Sequence, residues 1–508
     1  MTQLRVVLIK PSKYRIDGSV ERFKKGFMPN ATLYHIASLT PDKIADVPVT
    51  VHVVDEYVWQ DLTYLQWLHF NPGVTTLVAL VGVQSHQFHR ALDLAAYARH
   101  HGVRHCIIGG PHPMTCDTSL LQGRGVSFAL AEAELIWRQI LDDAITGELQ
   151  PVYGTDRRWA ERLPSTVITP PSTTDLARYW APLLGLYPVR GCPYQCNYCS
   201  VIKISGRQVR SPDIESTIES LWRAKRGGVE LIMFVSDNFN KFPQVRDLLQ
   251  AMIDEKLNLR FFCQCDTQIA RDPELVQLLG RARCYEMFVG VESFNRSTLK
   301  AAKKFHNRPE HYADIVKMCD EAGIRSHFSN IIGFPEDDED SIQDHLNVLK
   351  TIRPKAASFY VLTPIPGTEQ YNQYLQSGWI TERNLDRFDT TCSVWSHPHL
   401  SPKRLEDLLY RCYVNYYGHL LRTSGLTDED KLMAVFSRYT AAARMHPMSG
   451  GVDRLRIDCA SDYSAWRKSV YGIDLAPLPY NLTLSSHDEN LNRQADWRAI
   501  HAMKKVRL

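Results

Sequence analysis

The sequence predicts an α/β protein in three parts: an N-terminal doubly wound unit, a partial parallel (β/α)6 barrel, and a mainly helical C-terminal region. Short β-rich runs alternate with helical patterns up to about residue 155, a second alternation of six strand and helix repeats begins at Tyr187, and the alternation stops near Tyr374. Strand, helix and strand in succession form right-handed crossovers and so parallel sheets. A chain of 508 residues also exceeds what one hydrophobic core usually organises.

In the first unit, residues 1–155, strands are expected at Arg5 to Ile9, Val49 to Val54, Leu77 to Val83 and His105 to Ile108. Between the last two, Ala91, Leu92, Leu94, Ala95 and Ala98 recur at helical spacing. Ligands of such sheets bind beyond the carboxyl ends of the strands, here the loops from Gln84 to Phe88 and from Gly109 to Pro113. Residues 156–183 hold Pro164, Pro170 and Pro171 among Ser and Thr and read as a linker. The barrel, 184–373, has expected strands at Tyr187 to Arg190, Leu231 to Val235, Arg260 to Gln264, Glu286 to Val291, Ser326 to Ile332 and Ala357 to Leu362. Helical patterns lie between them, and functional residues of a parallel barrel sit at the carboxyl ends of its strands. In 374–508, Pro402 to Leu421 reads as an amphipathic helix. Trp395, His397, His399, Tyr410, Tyr413, Tyr416 and Tyr417 there either close the barrel mouth over a substrate or pack as core.

Hydrophobic and charged contents of 44% and 23% are ordinary for a folded protein, and a net charge of +3 gives a nucleic-acid partner no support. The apolar run from Val6 ends at Lys10 and Pro11, too short for a signal peptide, and Leu77 to Val83 is too short to span a bilayer. These features lead to the expectation of a soluble, cytoplasmic protein without a transmembrane segment. Twelve cysteines are scattered except for one tight group and the pair Cys263 and Cys265, a usage that favours metal ligation over disulfides.

The tight group is RGCPYQCNYCS, from Arg190 to Ser200. Its spacing, CxxxCxxC, lets Cys192, Cys196 and Cys199 bind three corners of a four-iron, four-sulfur cluster and leaves the fourth iron open to a small ligand. Gly191 and Pro193 supply the bends that wrapping a cluster requires. Zinc is the rival metal, but a structural zinc wants a fourth ligand from another paired motif, and none is evident in the sequence.

This loop, with the aromatic Tyr198 before its last cysteine, resembles the defining motif of the radical S-adenosylmethionine superfamily. The resemblance implies that the open iron chelates the amino and carboxylate groups of S-adenosylmethionine, and that one electron cleaves the cofactor to a 5′-deoxyadenosyl radical. Farther on, FVSDNF (Phe234 to Phe239), FVGVES (Phe288 to Ser293), IIGFPEDDED (Ile331 to Asp340) and TPIPGT (Thr363 to Thr368) resemble strand ends of the subfamily that pairs this barrel with a cobalamin-binding domain. On that basis Tyr198, Asp237, Gln264, Glu292, Ser293 and Gly333 are expected to contact S-adenosylmethionine, with Gly290 and Gly333 admitting it closely. Glu336 to Asp340 is instead expected to cap the following helix.

The first unit, with HVVDEYV (His52 to Val58), VGVQSHQFHRALDLAAYAR (Val81 to Arg99), IIGGPHPM (Ile107 to Met114) and AEAE (Ala131 to Glu134), resembles the flavodoxin-like cobalamin-binding half of that subfamily. The implied contacts are Ser85, His86, Gln87, Gly109, Gly110, Pro111, His112 and Glu132. Two departures stand out: no DxHxxG follows the first strand, and AEAE replaces the glycine usual in the last segment. The resemblance implies methylation of an unactivated carbon of a small-molecule or natural-product substrate, with electrons from a donor such as flavodoxin or ferredoxin. Ring formation, ring contraction or carbon–carbon coupling with the same cofactors is the alternative, and a non-catalytic redox or cobalamin sensor a more distant one. Cys263 and Cys265, on one face of a strand, either line the site or pack.

Overall fold

The computed structural model describes residues 3–15, 19–27, 29–382 and 384–445. The rest of the expected C-terminal region, 446–508, lies outside the described residues.

Seven strands form the first sheet: β1 (Gln3–Lys10), β2 (Lys43–Ile44), β3 (Val47–Asp55), β4 (Val74–Leu80), β5 (His105–Gly109), β6 (Ser127–Ala129) and β7 (Val152–Tyr153). Their order is β2-β3-β1-β4-β5-β6-β7, parallel throughout except the short β2–β3 pair. β1 is covered on both faces, which is why it reads as an unbroken apolar run. Val6 and Leu8 pack with Leu33 and Ile36 of helix Ala31–Leu39 and with Trp137 and Ile140 of helix Ala133–Thr146. Val7 and Ile9 pack with Ala91, Leu92 and Ala95 of helix Phe88–His100 on the other side. The sheet is thus doubly wound. Its order reverses between β1 and β4, and a crevice opens at their carboxyl ends.

The second sheet holds β8 (Leu183–Leu186), β9 (Leu231–Phe234), β10 (Arg260–Cys265), β11 (Cys284–Glu292), β12 (Arg325–Ile332) and β13 (Ala356–Val361), parallel and in sequential order, with β8 and β13 at its edges. Helices Ile214–Arg226, Val245–Asp254, Pro273–Arg281, Tyr312–Glu321 and Glu339–Ile352 connect the strands. Phe261, Cys263, Val289, Val291, Phe328 and Phe359 bury against that helical layer. Strand alternation then places Phe262, Gln264, Phe288, Gly290, His327 and Ser329 on the opposite face. Cys263 and Cys265 are therefore packing residues, and Cys263 Sγ lies 3.8 Å from Cys284 Sγ.

Three expectations need correction. The first strand of the second sheet is Leu183–Leu186, not Tyr187 to Arg190, because Pro188 carries no amide proton for a ladder. The strand expected at Leu77 to Val83 runs Val74–Leu80 and stops before Gly82, whose φ is +61°. The C-terminal tyrosines do not close the mouth. On helix Pro402–Leu420, the Tyr417 hydroxyl accepts from Ala357 N at 3.1 Å and donates to Ala357 O at 2.9 Å. One turn earlier, Tyr413 does the same for Phe359 N and O at 3.0 and 3.2 Å. Two phenol groups thus satisfy the open edge of β13, and Tyr416 is fully buried beside them.

Residues 156–182 contain one short helix, Thr173–Leu176, and are otherwise irregular but anchored, and Leu183 already belongs to β8. The Trp159 indole is buried and donates to Ile204 O at 2.8 Å, just past the cysteine loop.

Candidate active site

The chain leaving β8 turns at Gly191, whose φ is +96° and where a Cβ would stand 2.1 Å from Gln208 O. Only glycine fits that turn. The loop is closed like a hairpin: Arg190 and Arg210 exchange backbone hydrogen bonds at 2.9 and 2.8 Å, and Cys192 N donates to Gly206 O at 3.2 Å. Within it Cys192, Cys196 and Cys199 are half-buried free thiols. Burial first, then the neighbouring thiols, push Cys199 up to about 12 and raise Cys192 as well, and Cys196 is raised by burial. Three thiols that oppose one another's ionisation in a buried loop suit a cationic metal core. Among the described residues no three His, Cys, Asp or Glu side chains are gathered as a single metal ion requires. The three loop thiols are the donor set that a cubane takes, one at each of three corners.

The carboxyl ends of β9 to β12 surround the loop. Asp237 is held by Gly191 N, which donates to its Oδ2 at 2.7 Å, and burial raises its pKa. Asn238 Nδ2 donates to Cys192 Sγ at 3.3 Å. Glu292 takes Lys304 Nζ at 2.6 Å on one oxygen and Ser329 Oγ at 3.1 Å on the other. Ser293 is buried, and its Oγ accepts from Asn295 N at 3.1 Å. The space beside Gly333 is filled by Leu405, against which a Cβ would stand 2.6 Å away, and the space at Gly290 by the Glu292–Lys304 pair. Asp338 caps helix Glu339–Ile352 by accepting from Ser341 N at 2.8 Å, as expected, and Asp337 Oδ2 takes Gly333 N and Phe334 N, both at 2.9 Å.

The two sheets face each other with their carboxyl ends, and between them lies a cavity of about 250 Å³. The first unit contributes Gly82, Gly109, Gly110, Pro111, Ala129, Ala131 and Glu132, backed by Ile136, Trp137 and Ile140; the second contributes Tyr187, Arg190, Ser236, Asp237 and Gln264. Gly110 has φ +132° and lies against the chain after β4, where a Cβ would stand 2.2 Å from Val83 N.

Sequence residues expected around a ligand separate into two groups. Gly109, Gly110, Pro111, Glu132, Asp237 and Gln264 line this cavity. Ser85, Gln87 and His112 are spent inside the first unit: His112 Nδ1 lies 3.0 Å from Ser85 Oγ, its ring is 4.0 Å from Phe88, and Gln87 Oε1 accepts from Lys10 Nζ at 2.6 Å. His86 borders the same loop, with burial lowering its pKa to about 4. Lys10, at the carboxyl end of β1, is lowered by burial to about 7.

Glu132 is tied down as well. Arg210 forks onto it at 2.7 and 2.9 Å, and Ala160 N donates to it at 2.8 Å. Glu134 pairs with Arg190 at 2.9 Å and His35 at 2.6 Å. The acidic AEAE segment thus clamps the end of the first sheet to both arms of the cysteine loop. Arg190, Arg210, Asn238 and Lys304 were not foreseen, since their partners are remote in sequence; Lys304 follows Glu292 by 12 residues across a helix, which no spacing rule connects. The pairing of RG with AEAE could have been suspected only from unlike charges in two motif segments.

Comparison with known proteins agrees with this geometry. Residues 186–349 match the model of the Radical SAM superfamily. Bacteriochlorophyllide d C-12(1)-methyltransferase of Chlorobaculum tepidum is 28% identical over 310 residues, 59% of this chain and 64% of its own length. TsrM from Kitasatospora setae, a radical S-adenosylmethionine methyltransferase solved with cobalamin and a [4Fe-4S] cluster, superposes with a TM-score of 0.61 at 16% identity, over 98% of this chain and all of that one. OxsB, solved with aqua-cobalamin and S-adenosylmethionine, gives 0.59 at 12% identity, over all of this chain and 80% of that one. No helix among the described residues is long and apolar enough to cross a membrane.

Proposed function

With a Radical SAM domain behind a doubly wound unit this chain is an enzyme, and we propose that it is cobalamin-dependent and methylates an unactivated carbon of a small-molecule substrate. The observation that carries the reading is the cavity shared by the carboxyl ends of two parallel sheets, with the cysteine loop on one side and the Gly109–Gly110 turn on the other. The comparisons support it through the methyltransferase named above and through the fold shared with two cobalamin-bound enzymes.

Cys192, Cys196 and Cys199 would hold the cluster, and Asp237, Gln264, Glu292 and Ser293 stand where S-adenosylmethionine would be held beside it. The slot of Ala79, Ala129, Ala131, Gly82 and Gly109 facing Ile136 and Trp137 would hold the flat tail of cobalamin. Its volume is below the roughly 300–1,000 Å³ of a drug-sized ligand site, and so it suits one ring system better than a macrocycle. Bound together, these groups supply a 5′-deoxyadenosyl radical for hydrogen abstraction and a cobalt-borne methyl group for transfer.

The chain's own part is placement. Asp237 fixes Gly191 and hence the first cysteine, Asn238 hydrogen-bonds that cysteine's sulfur, and the Glu132–Arg210 and Glu134–Arg190 pairs set the distance between the halves. Such fixed geometry is what transfer between two bound groups requires. The partial-barrel reading of the second sheet belongs with this proposal, as does dependence on an external electron donor of the flavodoxin or ferredoxin kind.

The test is anaerobic reconstitution of the full chain, with assays for iron, bound cobalamin, 5′-deoxyadenosine and S-adenosylhomocysteine. Both nucleoside products from a trial substrate, lost in Cys196→Ala, support methyl transfer. 5′-Deoxyadenosine alone favours rearrangement or coupling, and an iron-free, colourless protein overturns the proposal.

A further inference from the structure

A buried ammonium lies against the cysteine loop, and nothing described above employs it. Lys304 is 8% exposed, and its Nζ donates to Glu292 Oε1 at 2.6 Å and to the Tyr198 hydroxyl at 3.3 Å. Tyr198 stands between Cys196 and Cys199 in the chain, with the ammonium 6.0 Å from its ring centre. The Tyr198 hydroxyl in turn hydrogen-bonds the Cys196 side chain, so the ammonium is one phenol away from that sulfur.

Room for this arrangement is made at a cost. A Cβ on Gly290 would stand 2.8 Å from Glu292 Oε1 and 3.1 Å from Lys304 Nζ, so the pair packs closely over that residue. Glu292 itself adopts φ +60°, a left-handed conformation that a side chain disfavours and that persists only where its surroundings impose it. Strain and two buried charges converge on one result, which is a cation hydrogen-bonded to the tyrosine that stands between two of the three cysteines.

We propose that Lys304 is a positioning residue that raises the reduction potential of the cluster held by Cys192, Cys196 and Cys199, acting through Tyr198 and balanced by Glu292. The inference rests on the cluster reading above. Uptake of one electron from a low-potential reductant adds one negative charge to the cluster. A nearby cation in a poorly screened interior stabilises that charge, and a nearby anion opposes it. Net charge and hydrogen bonding around the sulfurs are among the levers that set such potentials. Lys304 is joined to the phenol directly and Glu292 is joined to Lys304, so the cation prevails at the cluster.

The experiment is a potentiometric titration with dithionite, followed by electron paramagnetic resonance, on the reconstituted full chain without S-adenosylmethionine. Lys304→Met leaves Glu292 unbalanced and lowers the reduction equilibrium at least tenfold, 59 mV for one electron. Glu292→Gln leaves the ammonium unbalanced and shifts the potential upward. Lys304→Arg keeps the charge and stays within threefold of the native equilibrium, while the double variant Lys304→Met, Glu292→Gln, which removes both charges, falls between the native chain and Lys304→Met. Opposite signs for the two single variants are the signature, since a merely loosened loop moves both the same way. Cluster-bearing Lys304→Met with an unmoved midpoint, or shifts of one sign in both, overturns the inference. Should Lys304→Met fail to hold iron, Glu292→Gln decides, and an unmoved or lowered midpoint there overturns it. A native chain that binds no iron defeats the cluster reading itself and is told apart by its missing colour.

Discussion

Arg210→Ala is expected to destabilise the fold by about 3–5 kcal/mol, the range for breaking a buried ion pair by removing one partner. The guanidinium, 3% exposed, donates to Glu132 Oε2 at 2.7 Å, Glu132 Oε1 at 2.9 Å, Ala160 O at 2.7 Å and Ser205 O at 2.5 Å. Four charge-assisted bonds at about 1.5–3 kcal/mol each set a ceiling of roughly 6–12 kcal/mol, from which water entering the vacated space recovers part. What remains unfavourable is a Glu132 carboxylate, 5% exposed, with Ala160 N at 2.8 Å and Arg190 only at 3.5 Å. Urea titration of the metal-free chain, followed by tryptophan fluorescence, measures the loss; Trp159, bonded to Ile204 O beside the loop, reports on this junction. The double variant Glu132→Leu, Arg210→Met removes both charges and is expected within about 1 kcal/mol of the native chain, because a well-packed apolar pair replaces a buried ion pair at little cost. A loss below about 1 kcal/mol in Arg210→Ala, or a double variant as unstable as the single, refutes the clamp as described.

Two further outcomes are expected. Burial raises Asp337 to about 6, so the folded chain binds its proton more tightly than the unfolded chain does, and this contribution to stability falls as pH rises from about 4 to 6; denaturation midpoints across that window should show the slope, and Asp337→Asn should remove it. Tyr417→Phe leaves Ala357 N and O at the edge of β13 without their 3.1 and 2.9 Å partner and should cost about 1–3 kcal/mol, read as a lowered urea midpoint with the slope unchanged.

The strands and helices of both sheets were legible where burial is regular. The run at Val6 to Ile9 and the helix Ile214–Arg226 follow directly from an unbroken apolar stretch and from helical spacing. The cysteine loop was legible because its chemistry is local: three ligands within eight residues of chain. Errors arose where tertiary pairing decides. The strand Leu183–Leu186 was drawn a few residues late, at Tyr187 to Arg190, because its pairing with Leu231 to Phe234 lies more than 40 residues away. Helices Ala31–Leu39 and Ala133–Thr146 were not placed, although the second carries Ile136, Ile140 and Ala144 at helical spacing. The grip on Glu132 was not legible either, since Arg210, which holds both of its oxygens, lies 78 residues on.

The phenol caps on β13 also limit what helix Pro402–Leu420 can do. Four helical residues advance about 6 Å and two strand residues about 6.6 Å, so Tyr413 and Tyr417 keep step with Phe359 and Ala357 in a single phase. Sliding the helix by even one residue would withdraw both hydroxyls from the sheet, which makes this element a fixed wall instead of a hinged gate. Diversity of ligands among chains of this design is therefore free to arise in the inward side chains and connecting loops, while the wall keeps its place.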